Sequence, residues 1–199
     1  PRPSPVLGTA AMTHATAFTP AEIGGLARRI DRPVVLVGLM GVGKSTVGRR
    51  LAALLDTDFI DVDEEIERAA DRSVSEIFEA HGELYFRAGE RRVIARLVEE
   101  GHGVIATGGG AFVDPETRAL ILDRAIAVWL DCDIDTLVER TARRDSRPLL
   151  RKGDPRAILT QLKDQRGDAY AEAQVHVVTD DAPHTETALS ILSAIDAWL

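Results

Sequence analysis

Residues 34–46 read VVLVGLMGVGKST. Four apolar residues, Val34-Val35-Leu36-Val37, run directly into Gly38-Leu39-Met40-Gly41-Val42-Gly43-Lys44-Ser45-Thr46. A short continuous apolar run is the pattern of a strand buried on both faces. The spacing Gly-x4-Gly-Lys-Ser/Thr follows it, and Val47, Leu51, Leu54 and Leu55 then mark one face of a helix. A glycine-rich loop between strand and helix predicts a cradle for a nucleoside triphosphate. Its glycines let backbone N–H groups turn toward the phosphates, and the helix adds its positive end. Gly41, Val42, Gly43, Lys44, Ser45 and Thr46 are therefore the candidate nucleotide-binding residues. Lys44 is expected at the β- and γ-phosphates and the Ser45 hydroxyl at magnesium. A chance match in a glycine-rich turn is the alternative, and the strand and helix on either side argue against it. Guanine readers carry Asn-Lys-x-Asp, and this chain contains no asparagine, so ATP is the expected nucleotide.

Apolar runs recur at Asp58-Phe59-Ile60, Val104-Ile105-Ala106, Ile126 to Leu130 and Val175 to Val178. Helical patterns separate them. Ser73-Val74-Ser75-Glu76 is a capping box opening a helix toward His81, and a longer helix runs from about Glu83 to Glu100. Asp114-Pro115 and Asp154-Pro155 each supply an N-cap and a first-turn proline. The alternation predicts an α/β fold of three layers, α/β/α, around a five-stranded parallel sheet. Residues 1–30 read as a largely flexible N-terminal extension, with a short helix over Pro20 to Arg29, and residues 31–199 as the folded domain. The polar, basic segment Arg144 to Gly153 interrupts the rhythm and reads either as a connecting loop or as a mobile lid, about 143–154.

Composition narrows the function. A chain of 199 residues, 45% hydrophobic and 28% charged, has the balance of a globular protein able to bury its own core. A net charge of -8 argues against an extended nucleic-acid surface, and no apolar run approaches the ~20 residues that span a bilayer. One cysteine, Cys132, excludes an internal disulfide and fits a reducing compartment, so the cytoplasm is expected; no further hydrophobic stripe demands burial, so a monomer is expected.

Ligands of parallel sheets bind outside the carboxyl ends of the strands. Three features fall there. Asp61 and Asp63 end the second strand; one carboxylate is placed to hold magnesium through water and the other to face an acceptor hydroxyl. The alternative is an N-cap pair for a helix beginning at Glu64. Gly108-Gly109-Gly110 ends the third strand, which allows a ligand to lie against the backbone or merely makes a tight turn. Arg87, Arg147 and Arg166 lie near strand ends, where a guanidinium grips a carboxylate bidentately; each alone reads more readily as a solvated surface arginine, and their joint placement raises them above that.

The ordered set GLMGVGKST, Phe59-Ile60-Asp61-Val62-Asp63, Tyr85-Phe86-Arg87 with Glu90, Gly108-Gly109-Gly110-Ala111, Arg147-Pro148-Leu149-Leu150, and Arg166 with Tyr170 resembles the shikimate kinases over about residues 32–199. The resemblance implies a P-loop kinase fold with a mobile lid and transfer of phosphate from ATP, with Mg2+, to shikimate. It assigns Asp63, Arg87, Gly108, Gly109, Gly110 and Arg166 to shikimate. Arg147 would bridge the phosphates and the acceptor, and Lys44, Asp63 and Arg147 would form the catalytic set. Ser45 and Asp61 (through water) belong to the magnesium neighbourhood, Arg140 and Pro183 to adenine, and Glu90 would orient Arg87. Two departures stand out. Gly167-Asp168 follows Arg166, and an interior glycine weakens a helix by ~1 kcal/mol. The N-terminal extension has no counterpart in the minimal family domain. A kinase of another small acid, such as gluconate, and a nucleotide-dependent switch without acceptor remain as alternative readings of the residues.

Overall fold

The computed structural model describes residues 18–142, 153–180 and 182–199. Five parallel strands form one sheet: β1 (Val34–Val37), β2 (Phe59–Asp61), β3 (Val104–Ala106), β4 (Ile126–Cys132) and β5 (Val175–Thr179), in the order β2-β3-β1-β4-β5. The apolar run that leads into the glycine loop is the central strand. Val34 sits in register with Val104 on one side and Ile126 on the other, and all four β1 residues are buried. Both faces of the sheet are covered by helices, as a strand without polar alternation requires.

The helices are α1 (Pro20–Arg29), α2 (Lys44–Leu55), α3 (Val62–Ala70), α4 (Val74–Glu100), α5 (Pro115–Arg124), α6 (Ile134–Ala142), α7 (Pro155–Tyr170) and α8 (His184–Trp198). The Ser73 capping box is formed, and so is the Asp114 cap with Pro115 in the first turn. At Gly82 the backbone leaves helical geometry (φ 79°, ψ 173°), so α4 is two segments meeting at the His81–Glu83 break that the sequence predicts. α2 packs on the sheet through Gly48, where an added Cβ would lie 2.4 Å from the Phe59 ring.

Among the boundaries that differ from the sequence reading, three bear on the site and the start of the fold. β4 continues two residues past Leu130 because Asp131 and Cys132 pair with Val178 and Thr179. α3 begins at Val62 rather than Glu64, because Asp61 closes β2 and caps the helix, its side chain accepting the Asp63 N–H. The Pro20–Arg29 helix is present and belongs to the folded body. Thr19 and Glu22 close a capping box, Leu26 is buried, and Arg29 pairs with Asp196 at the end of α8. Among the described residues the folded body thus includes α1.

Candidate active site

The loop from Gly38 to Gly43 leaves the carboxyl end of β1 in the conformation that its glycines permit. Gly38, Gly41 and Gly43 have φ of 137°, 85° and 98°, a region that L side chains rarely adopt. Space is also limiting: a Cβ on Gly38 would lie 2.4 Å from the Leu130 carbonyl oxygen, and one on Gly41 would lie 2.7 Å from the Thr141 methyl. Gly43 caps α2 without a side chain, which leaves the first N–H groups of the helix for an anion. Lys44 reaches back over the loop, and its Nζ donates to the carbonyls of Gly38 (2.8 Å) and Leu39 (2.9 Å).

Ser45, at the start of α2, donates its hydroxyl to Asp61 Oδ2 at 2.5 Å, while Asp61 Oδ1 accepts the Asp63 N–H at 3.0 Å. A hydroxyl and a carboxylate beside a phosphate loop are hard oxygen donors, the chemistry that suits Mg2+ shared with phosphates and water. Among the described residues no cluster of three His, Cys, Asp or Glu side chains forms a closed metal cage, so such an ion would draw its remaining ligands from elsewhere.

The three glycines after β3 gather the other candidates. A Cβ on Gly108 would stand 2.8 Å from Glu90 Oε1 and 3.1 Å from Asp63 Oδ1. On Gly109 it would stand 3.3 Å from Arg166 Nη1 and 3.5 Å from the Met40 nitrogen, and on Gly110 only 2.2 Å from Arg87 Nη2. None of the three takes a positive φ, so this run needs glycine for space rather than for a turn. Asp63, Glu90, Arg87 and Arg166 therefore converge on one loop, and that loop rests against the phosphate loop.

Arg87 Nη1 bonds Glu90 Oε2 at 2.5 Å, with Glu83 at 3.5 Å from Nη2. Burial works against the Arg87 charge, but Glu90 and Glu83 outweigh it and raise the pKa. The carboxyl of Glu90 is buried and pushed up by that burial, with Arg87 offsetting part of the effect. Burial also pushes the Asp63 carboxyl up, aided by Asp61 and opposed by Lys44 and Arg87. Arg166 Nη1 donates to the Gly109 carbonyl at 2.9 Å, and the Tyr170 hydroxyl donates to the same oxygen. The structural part of Tyr170 was not read from the sequence, although its i, i+4 spacing from Arg166 places both on one helix face. Gly167 does not break α7, which runs through it to Tyr170, so Arg166 is held in a continuous helix.

On the nucleotide side, Arg140 of α6 donates to the Val42 carbonyl at 3.4 Å and to the Asp180 carbonyl. It thereby ties the phosphate loop to the segment before Pro183, the exposed N-cap of α8. Arg147 and the rest of the 143–152 stretch lie outside the described residues.

A five-stranded parallel sheet with a phosphate loop at its central strand and an acid–base cluster beside that loop defines a P-loop phosphotransferase. The family model described as shikimate kinase matches residues 40–196. The chain belongs to the shikimate kinase family. A shikimate kinase of Novosphingobium aromaticivorans is 60% identical over 193 residues, covering 94% of this chain and all of that protein. That coverage leaves too few residues unmatched to exclude the whole 1–30 segment, so the likeness extends into it. The structure of the Acinetobacter baumannii shikimate kinase in complex with shikimate superposes with a TM-score of 0.80 at 38% identity, covering 83% of this chain and 93% of that one. A gluconokinase of Sinorhizobium meliloti shares the fold, with a TM-score of 0.53 at 19% identity and coverage of 85% and 97%. The fold by itself therefore does not choose the acceptor.

Proposed function

We infer that this protein transfers the γ-phosphoryl group of ATP to the 3-hydroxyl of shikimate, giving ADP and 3-phosphoshikimate. The observation that carries the reading is the convergence of Asp63, Arg87, Glu90 and Arg166 on a glycine loop packed against the phosphate loop. A carboxylated, hydroxylated ring fits that set: guanidiniums for its carboxylate, Asp63 for a hydroxyl. Two arginines at a small acid's carboxylate favour shikimate over an acceptor without a fixed carboxylate geometry.

The acceptor hydroxyl attacks the γ-phosphorus in line. An O–P bond forms to the acceptor as the bond from the γ-phosphorus to the β,γ-bridging oxygen breaks, and the hydroxyl proton passes to Asp63. Transition states of this kind are loose, so positioning and charge neutralisation dominate. Lys44 would leave the Gly38 and Leu39 carbonyls for the β- and γ-phosphate oxygens. Arg147 would bridge those oxygens to the acceptor. Mg2+, when bound, neutralises phosphate charge and orients the β- and γ-groups; Ser45 would hold it directly and Asp61 through water. Arg140 and Pro183 would flank the adenine. We read the chain as a monomer acting in the cytoplasm without nucleic-acid or membrane partners. The net charge of -8 argues against an extended nucleic-acid surface, and among the described residues no helix is long and apolar enough to cross a membrane.

ADP release measured with shikimate, gluconate, a nucleoside monophosphate and no acceptor tests the reading. Release that depends on shikimate alone is expected. Equal release without acceptor would refute it, and release with gluconate alone would reassign the acceptor.

A further inference from the structure

α7 carries the two side chains that hold the Gly109 carbonyl, yet Gly167 lies between them. A glycine inside a helix loosens its backbone by ~1 kcal/mol relative to alanine, and nothing packs within 4 Å of where a Cβ on Gly167 would lie. The helix stays continuous through Gly167, and tertiary contacts add to its hold on Arg166 and Tyr170. Lys163, Arg166 and Tyr170 stand at i, i+3 and i+7, one face of the helix. Lys163 Nζ lies 2.8 Å from Asp131 Oδ1 and donates to the Cys132 carbonyl at 2.9 Å, so α7 is pinned to the carboxyl end of β4.

Asp131 is itself immobilised. Its Oδ1 accepts the Cys132 N–H at 2.8 Å, and its carbonyl accepts the Thr179 hydroxyl at 3.0 Å. The other carboxylate oxygen faces His176 Nε2 at 3.5 Å. The His176 ring stacks on Trp129 at 4.0 Å with 8° between planes, and Trp129 in turn meets Tyr170 at 5.9 Å. One carboxylate thus reaches the acceptor face of α7 twice, through Lys163 at one end and through the His176–Trp129 stack at the other.

We propose that the Asp131–Lys163 pair is a positioning device that sets Arg166 and Tyr170 against the acceptor loop. Neither residue touches substrate; they act through α7. The proposal rests on the reading of shikimate as acceptor for its kinetic arm.

K163M and D131N are expected to raise KM for shikimate about tenfold while kcat and KM for ATP stay within about twofold. K163R, which keeps the cation, is expected to remain within about threefold of the unaltered protein. Unchanged KM for shikimate in both variants overturns the proposal. So does a loss shared equally by both substrates and not restored by K163R, which marks a merely structural pair. Amide hydrogen exchange over 163–170 supplies a readout that needs no acceptor: faster exchange in K163M is expected, and unchanged exchange overturns the clamp. If the unaltered protein shows no shikimate-dependent ADP release, the acceptor reading fails by itself and the exchange measurement decides the clamp.

Discussion

Burial and the neighbouring Asp61 resist ionisation of Asp63, while Lys44 and Arg87 favour it, and the balance lies on the raised side. That balance has two consequences of opposite sign. As a base, Asp63 must be ionised, so kcat/KM should fall as pH falls through its raised pKa. Asp63→Asn should lower kcat by at least about 10²-fold and remove that acidic limb. For stability, a folded-state pKa above the unfolded value means the fold holds the proton more tightly than the open chain. The ionised group therefore costs stability at neutral pH, and the cost vanishes below the unfolded pKa. Thermal melts should show Asp63→Asn more stable than the unaltered protein at pH 7, with the gain shrinking toward acid pH. A lower melting temperature at pH 7 would contradict the burial argument. Gly110 tests space in place of charge. A Cβ there would lie 2.2 Å from Arg87 Nη2, at the end of a side chain that Glu90 and Glu83 hold in place. Gly110→Ala should therefore displace Arg87 and raise KM for shikimate about tenfold or more, with a melting shift of only a few degrees. Steady-state kinetics beside a melt separates the two effects.

At the scale of elements, the starts of β2 and β3 are tied by side chains rather than by ladder bonds alone. Asp58 accepts the Gly103 N–H at 2.8 Å and also meets His102 Nδ1, while His102 Nε2 lies 3.1 Å from Glu100. Partial burial works against the His102 charge, but the hydrogen bonds and charges of Asp58 and Glu100 outweigh it and raise its pKa. The stability this gives is fully present below the unfolded pKa, about 6.5, and is lost as pH rises through the folded value. His102→Ala should thus lower the melting temperature more at pH 6 than at pH 9; equal losses would show that the ring acts by packing alone. This tie was not legible in the sequence, because Asp58 and His102 meet only once two strands are paired. The strands themselves were legible: β1 and β3 are unbroken apolar runs bounded by turn residues. β4 was read short because the polar Asp131 ended its run, although its backbone stays in the ladder. The phosphate loop and the Asp63, Arg87 and Arg166 set were legible as ordered local motifs. What was hidden is long-range: the hold of Tyr170 on Gly109 and of Lys163 on Asp131.

Across the whole molecule, the carboxyl edge of the sheet carries the chemistry, and α1 is seated away from it. The helix packs on α2 and α8, Arg29 reaches Asp196 near the last residues, and Ile30 leads through Pro33 into the start of β1. A cavity of about 260 Å³ separates Ala27 and Ile30 from Leu55, Gly101 and Gly103, all at the amino edge of the strands. Stability and catalysis should therefore separate along the strand axis. Leu26 is 3% exposed, and removing a buried leucine side chain costs roughly 2–5 kcal/mol. For a chain of this size each kcal/mol moves the melting temperature by about 2–4 °C. Leu26→Ala should lower the melting temperature by at least about 4 °C, yet leave KM for ATP and for shikimate unchanged at a temperature where it remains folded. A shift in either KM would mean that the amino edge communicates with the site through α2, which begins at Lys44 and ends beneath α1.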